Sequence, residues 1–454
     1  MSRYSVQPEA EPTYSLGVSE SMSPATETAE GPPELSVMDL AVVGLGYVGL
    51  PLVRESCRAG LRVLGFDTSS SVVERLSSGR SHVDDISDAE IAELLAAGLS
   101  VTTDEQMLSK ADVIVICVPT PLDSDGGPDL TAVKAAARNV AGQLRPGMLV
   151  VLESTTYPGT TDEVVRPILE QGSGMAAGKE FALAFSPERI DPGNPTYGLR
   201  NTPKVVGGLT ATCLQRAVGL YEHVCDTVIP VSAPEAAELT KLLENIFRSV
   251  NIALVNELAM LCDRMKIDVW EVVEAAATKP YGFMSFHPGP GLGGHCLPVD
   301  PFYLAWRARE FDQPTEFIEL AGEVNQTMPY FCVDKITRAL NDREKPLRGS
   351  RIVIVGVSYK PGVGDMRESP AIKIMRILRE RGVALSYHDG HVPELPEFDL
   401  ASRSLEDILD AVDAAVIVTA HPDLDIDRLV QCAPLIVDFR GVTRSLRAPH
   451  LARL

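Results

Sequence analysis

The sequence predicts an α/β protein in which two Rossmann-like doubly wound domains are joined by a central domain built on a long helix. Three observations carry that prediction. Gly44-Leu45-Gly46-Tyr47-Val48-Gly49 is a GxGxxG turn placed directly after an apolar run. Short apolar runs alternate with helical stretches both before and after the middle of the chain, the rhythm of βαβ units. Between these two regions, starting at Pro234, about thirty residues run without a further Gly or Pro and with helical periodicity.

Residues 1–36 are rich in Ser, Pro, Glu and Thr and hold six acids against one base, the composition of a disordered tail. Order begins at Val37–Val43, an apolar run closed by glycine, as a buried parallel strand is. Further strand-like runs follow at Arg62–Phe66, Val113–Val118, Leu149–Leu152, Ala182–Phe185 and Lys204–Val206, and complete a first domain over 37–231. The central region, 232–345, holds the long helix, whose apolar length suits both a link between domains and an oligomer interface. A second α/β unit, 346–454, opens on RIVIVGVSYK, with a helix expected at Ser369–Arg381 and strands at Ala384–Tyr387, Ala414–Val418 and Leu435–Phe439. Two nucleotide-type domains around a helical middle imply two nucleotide ligands facing each other across a cleft.

Composition narrows the function. Of the 454 residues, 45% are hydrophobic and 23% charged, as in ordinary globular proteins. The net charge of −21 argues against nucleic acid or an anionic membrane surface as partner, while leaving room for a small anion held by a few local groups. The most apolar charge-free stretch, roughly Leu40–Val53, is too short and glycine-rich to span a bilayer, and the first residues lack a secretion signal's apolar core, so a cytoplasmic enzyme is expected. Eight cysteines lie scattered with no CxxC pair, which suits reduced thiols better than a disulfide framework or a zinc site.

The GxGxxG turn and Asp67, which ends the next strand 21 residues after Gly46, make an NAD site. The glycines permit the tight turn and the approach of a pyrophosphate to the helix N-terminus; the carboxylate accepts from a ribose 2′-OH and repels a 2′-phosphate. Pro119 and Thr120 end another strand on the same edge, with Thr120 toward the nicotinamide side. The most informative stretch is Gly291-Leu292-Gly293-Gly294-His295-Cys296-Leu297-Pro298-Val299-Asp300. Its glycines and prolines fix an irregular loop around one cysteine, and exposed N–H groups in such a loop lower a thiol pKa and bind oxyanions. By itself the segment reads equally well as a structural turn around an inert thiol. Glu238, Lys241, Asn245 and Arg248, spaced three or four apart on one face of the long helix, favour the reactive reading, although such a stripe is often a solvated face.

GLGYVGLP, CVPTP, ESTTYPGTT, SPERIDPGN, the K-x3-N-x-F-R helix, GGHCLPVDP and SYKPGVGDMRESP occur in one order over roughly residues 37–440. In this the chain closely resembles the nucleotide-sugar 6-dehydrogenases, whose members act on UDP-glucose, UDP-N-acetylglucosamine and UDP-N-acetylmannosamine. The resemblance implies a nucleotide-sugar substrate, NAD as cofactor, and a homodimer or larger assembly. It makes Cys296 the nucleophile, has Lys241 and Asn245 stabilise oxyanions, and has Asp300 and Thr156 position or activate water, with Glu188 the base for hydrolysis. It adds Glu153 and Arg367 to the cofactor-binding residues Gly44, Gly46, Tyr47, Val48, Gly49, Asp67, Pro119 and Thr120. Lys360 and Arg440 match positions that contact the uridine diphosphate, and Arg248, Tyr281, Phe286 and Gly293 fall among the substrate-binding positions. Two departures stand out: Asp191-Pro192 replaces a second glutamate of glucose-type members, and His295 replaces a small or aromatic residue. The implied chemistry oxidises an alcohol to an aldehyde, adds the Cys296 thiolate, oxidises the thiohemiacetal to a thioester and hydrolyses it to the uronate. A two-electron hydroxyacid dehydrogenase would explain Lys241 and Asn245 but neither the cysteine loop nor the last domain. A non-enzymatic nucleotide sensor would need none of these side chains together. The segments LESTTYPGTT, SPERIDPGN, TKPYGF and PGPGLGGHC look more like the N-acetylhexosamine branch than the short glucose branch.

Overall fold

The computed structural model describes residues 39–454 apart from positions 84, 124, 125, 192, 193, 195, 295, 296 and 298. The stretch 1–36 read as a tail therefore lies outside the described residues, as do His295, Cys296 and Pro298.

The first region alternates strands and helices: β1 (Asp39–Val43), α1 (Gly49–Arg58), β2 (Arg62–Phe66), α2 (Ser70–Ser77), α3 (Asp88–Ala96), β3 (Ser100–Thr102), β4 (Val113–Ile116), α4 (Thr131–Ala141), β5 (Leu149–Leu152), α5 (Arg166–Ser173), β6 (Ala182–Phe185), β7 (Lys204–Gly208), α6 (Ala211–Val224) and β8 (Val228–Val231). The sheet order is β3-β2-β1-β4-β5-β6-β7-β8, and the first six strands give the 3-2-1-4-5-6 order of a dinucleotide-binding sheet. Ligands bind such a sheet outside the carboxyl ends of its strands, near the point where strand order reverses. β1 and β4 sit at that point, and their apolar residues are almost wholly buried. From β6 to β7 the pairing is antiparallel, so β7 and β8 run against the other six. This reversal was not visible in the apolar run that marked the strand.

The long helix exists as read: α7 (Pro234–Met265) spans 32 residues. Its first half buries Ala237, Leu242 and Ile246 in the core under the first sheet, and its second half buries Val255, Ala259 and Cys262 in the core under the last. It thus joins the two α/β regions by packing into both. α8 (Val269–Ala277), α9 (Asp300–Ala308) and α10 (Glu316–Asn341) complete the middle, with α10 lying against α7. The last region contains β9 (Arg351–Val355), α11 (Pro370–Glu380), β10 (Ala384–His388), a short hairpin of β11 (Glu394–Leu395) and β12 (Leu400–Ala401), then α12 (Leu405–Ile408), β13 (Ala414–Ile417), α13 (Ile426–Cys432), β14 (Ile436–Asp438) and β15 (Leu451–Arg453). Its five-stranded sheet, β10-β9-β13-β14-β15, is parallel throughout. Ser369 caps α11 through its hydroxyl, with Pro370 at the first helical position, which fixes the boundary expected there. Among the described residues no helix is long and apolar enough to cross a membrane.

Candidate active site

The glycine turn is built as a nucleotide loop requires. Gly44 has φ +95°, and a Cβ there would lie 2.6 Å from the Cys117 carbonyl oxygen; at Gly49 it would lie 1.9 Å from the Gly44 carbonyl oxygen. Both positions therefore exclude side chains so that helix and strand can close on each other. At Gly46 the same construction meets nothing within 4 Å, leaving open the side on which a pyrophosphate must approach. Val48, the residue before α1, has no side-chain hydrogen bond to cap the helix. Asp67 stands at the end of β2 with one oxygen accepting from the Leu45 N–H at 2.9 Å and the other from the Ser69 N–H at 2.9 Å. The loop, the uncapped helix and this carboxylate together fit NAD.

A cavity of about 1520 Å³ opens beside the turn. Its wall includes Tyr47, Val48, Pro119, Thr120 and Glu153 from the first region, Lys241, Asn245 and Arg248 from α7, and Asp300 at the start of α9. Gly291, Gly293 and Gly294 of the cysteine loop line it, as do Glu188 and Arg367. Residues more than three hundred positions apart in sequence thus share one space, and most of the expected site residues are among them. Cys296 is the exception that matters most, and it lies outside the described residues.

The chemistry-bearing side chains stand in low-dielectric surroundings. Asp300 is 2% exposed and its Oδ2 accepts from Asn245 Nδ2 at 2.5 Å. Burial pushes the Asp300 carboxyl up to about 6, against the opposing pull of the Lys241 ammonium and the Asn245 hydrogen bond. Lys241 and Asn245 are themselves buried. The Thr156 hydroxyl is buried with no hydrogen-bond partner among the described residues, whereas Thr155 rather than Thr156 reaches the cavity wall. Glu188 Oε1 accepts from the N–H groups of Arg189 at 2.7 Å and Ile190 at 2.6 Å.

The described glycines of the cysteine loop are seated from both sides. Asn256 on α7 accepts from the Gly289 N–H at 2.9 Å and donates to Asn325 on α10 at 2.9 Å, and Asn325 donates to the Ser249 carbonyl. Pro329 lacks an N–H, so α10 does not use the Asn325 carbonyl one turn earlier. Gly291, with φ +124°, packs there, where a Cβ would come within 3.0 Å of that oxygen. From the last region, the Arg367 carbonyl accepts from the Gly294 N–H at 3.0 Å. The Arg367 guanidinium, forked onto Asp365, lies 4.7 Å from the Tyr47 ring centroid. One residue therefore touches both the cofactor turn and the cysteine loop.

Some expected residues stand elsewhere. Tyr281 is 68% exposed and outside the cavity wall. Phe286 packs edge-on against Phe247 with centroids 5.7 Å apart. Lys360 is outside the wall but reaches it through an ion pair of 2.8 Å to Asp191. Arg440 packs under Gly289, where a Cβ would lie 2.8 Å from its guanidinium. Glu238 shares the helix but not the site: its carboxylate accepts from the Gly159 N–H and from the N–H and hydroxyl of Thr161. Three further residues beside the site were not among the candidates read from the sequence. Tyr303 on α9 donates to the Thr120 carbonyl. Glu244 on α7 pairs with Arg189 at 2.6 Å. Lys204 at the start of β7 is 3% exposed. The available signal for Lys204 was a charged residue heading the apolar run KVVGG.

Residues 38–225 match the NAD-binding domain of the UDP-glucose/GDP-mannose dehydrogenase family, 235–327 its central domain and 353–445 its UDP-binding domain. The chain belongs to this family. The match to a UDP-binding domain disfavours the two-electron hydroxyacid dehydrogenase, and as a family member the chain is an NAD-dependent nucleotide-sugar dehydrogenase. Among its relatives, a UDP-N-acetyl-D-mannosamine dehydrogenase of Pyrococcus horikoshii is 36% identical over 389 residues, covering 85% of this chain and 90% of the relative. A UDP-N-acetyl-D-glucosamine 6-dehydrogenase of Pseudomonas aeruginosa is 36% identical over 353 residues, covering 78% and 82%. The solved structure of a UDP-D-ManNAc dehydrogenase from Pyrococcus horikoshii superposes with a TM-score of 0.84 at 33% identity, covering 92% of this chain and 99% of that one.

Proposed function

We propose that this dehydrogenase oxidises the C6 hydroxymethyl group of a UDP-N-acetylhexosamine to the carboxylate, with Cys296 as the covalent nucleophile. The observation that carries the reading is the buried group of Lys241, Asn245 and Asp300 on the same cavity wall as Gly291, Gly293 and Gly294 of the cysteine loop. Bound NAD supplies the electron acceptor for each of the two oxidations. Lys241 and Asn245 place a positive charge and an N–H donor where the substrate oxygen becomes negative, in surroundings dry enough for both to count. The Cys296 thiolate adds to the aldehyde carbon, and the resulting thiohemiacetal is an alcohol that can be oxidised again to a thioester. Asp300 keeps Asn245 oriented, and Glu188 takes the proton of the water that hydrolyses the thioester. Arg367 and Asp67 hold the cofactor, and Lys360 with Arg440 hold the diphosphate.

The N-acetylhexosamine class is supported by the relatives named above and by the segments SPERIDPGN and TKPYGF. A second copy of the chain is the proposed partner, seated on the exposed leucines Leu239, Leu243 and Leu254 of α7. A cytoplasmic location is supported by the seven described cysteines, all free thiols as in a reducing compartment.

Purified protein offered a panel of UDP- and dTDP-sugars should reduce two NAD per sugar, fastest with a UDP-N-acetylhexosamine. One NADH per sugar would overturn the four-electron scheme, and a preference for UDP-glucose would overturn the substrate class. Cys296→Ser should abolish uronate formation while NAD binding persists. Wild-type turnover in that variant would remove Cys296 from the chemistry.

A further inference from the structure

At the part of the cavity wall formed by Glu153 and Glu188 stands a charged group that neither the cofactor turn nor the cysteine loop explains. The Lys204 ammonium lies 3.1 Å from Glu153 Oε1 and 3.5 Å from Glu188 Oε2, with all three side chains buried. Tyr221 on α6 donates its hydroxyl to Glu153, and its ring centroid is 5.1 Å from the ammonium. Cys117 approaches the other Glu153 oxygen at 4.0 Å.

The reversal of β7 explains how a lysine reaches this place. In a parallel sheet the catalytic edge receives the carboxyl ends of strands, but an antiparallel strand delivers its first residue there. β6 and β7 pair Phe185 with Gly207 and Ala184 with Gly208, and continuing that register sets Lys204 across from Glu188. Burial pulls the Lys204 ammonium down, but the Glu153 and Glu188 carboxylates outweigh it and keep the group charged. Two carboxylates share one cation, and they are not equivalent. Glu153 is enclosed, and burial raises its carboxyl against the pull of Lys204. Glu188 has one oxygen on the Arg189 and Ile190 N–H groups and the other toward Lys204.

The other charged groups around Glu188 are committed elsewhere or lie farther off. Glu244 on α7 holds Arg189, Asp191 holds Lys360, and Lys241 faces Asp300. The Cys225 thiol after α6 is raised by its burial, with Lys204 opposing. Among the described residues, Lys204 is the cation within ion-pair distance of Glu188.

We propose that Lys204 is a positioning residue for the hydrolytic half of the reaction, fixing Glu188 as an oriented anion against the cavity. The inference rests on Glu188 being the base. In that step the water oxygen bonds to the thioester carbon and its proton passes to the Glu188 carboxylate. The carbon–sulfur bond breaks, its electron pair returning to sulfur as thiolate and releasing the uronic acid.

The test follows the acyl-enzyme by acid quench and intact mass during a single turnover. In Lys204→Met, acyl-enzyme formation should keep the wild-type rate, while its decay slows roughly tenfold or more. Lys204→Arg should restore the wild-type decay rate. The double variant Lys204→Met/Glu153→Gln removes the ammonium with one carboxylate, so it leaves less uncompensated charge in the interior, and it should decay as slowly as the single variant. Wild-type decay in either folded variant would overturn the role of Lys204. So would failure of both to fold, which would assign Lys204 to stability alone. Glu188→Gln separates the two claims: normal decay there sinks Glu188 as base, whereas slow decay there with normal decay in Lys204→Met sinks only Lys204.

Discussion

Asp300 is an acid placed where its charged form is costly, and the cost has a sign that can be measured. Burial moves its carboxyl from the ordinary 3.8 to about 6, although Lys241 and Asn245 both pull it back. The folded chain therefore holds this proton more tightly than the unfolded chain does. The carboxyl's contribution to stability is fully present below pH 3.8 and is lost as pH rises through 6, a change of about 3 kcal/mol at about 1.4 kcal/mol per unit. Asp300→Asn removes the titration while keeping an oxygen for Asn245. Its stability relative to wild type should rise between pH 4 and pH 7 and level off above, while uronate formation falls. Denaturant melts at a series of pH values would show this. A difference that stays constant with pH would mean that Asp300 titrates normally in the fold. Asp300 was legible as a candidate because it sits four residues past the cysteine; its pairing with Asn245, 55 positions earlier, was not, since only the meeting of α7 and α9 creates it.

At the scale of elements, the buried parallel strands were the easiest to read, because continuous runs such as VIVI and LVVL have no polar face. The strands that escaped were short or sat at an edge. β3 has three residues, β8 is half-exposed with Pro230 in it, and β15 follows a loop that shows no apolar run. β7 was seen but not its direction, and direction is what brings Lys204 to the site. Glu238 shows the opposite failure: helical spacing put it in line with Lys241, yet its side chain points to the turn before α5. There it accepts three hydrogen bonds from Gly159 and Thr161 and ties α7 to the segment that follows β5. Glu238→Ala leaves buried donors without an acceptor, each costing about 1–3 kcal/mol. The variant should lose that much stability or more, while its substrate KM changes little, because Glu238 does not face the cavity. A melting temperature equal to wild type would show that water replaces the carboxylate.

The whole molecule carries one feature that a single chain does not use. Leu239, Leu243, Phe247, Leu254, Leu261 and Met265 are each at least 42% exposed, and they are spaced four or seven residues apart on α7. At that spacing they form one stripe about 39 Å long at 1.5 Å per residue. The face carrying Lys241 and Asn245 is buried instead, so the helix turns that face inward and this apolar stripe outward. An exposed apolar stripe of this length on a chain with a net charge of −21 is a surface that water disfavours, and in soluble proteins such patches mark interfaces. Phe317 and Leu320 on the neighbouring α10 are also exposed, at 82% and 53%. A second copy is the occupant that brings the same stripe with it, since a two-fold axis pairs a patch with itself. Leu243→Glu with Leu254→Glu places two acids in the middle of the stripe and would set four against one another across a two-fold axis. Light scattering should then report a monomer for the variant where wild type gives a dimer or larger. NAD binding should survive, because the Rossmann turn lies in another part of the chain. A monomeric wild type at the same concentration, or an unchanged oligomer in the variant, would show that something other than this stripe governs assembly.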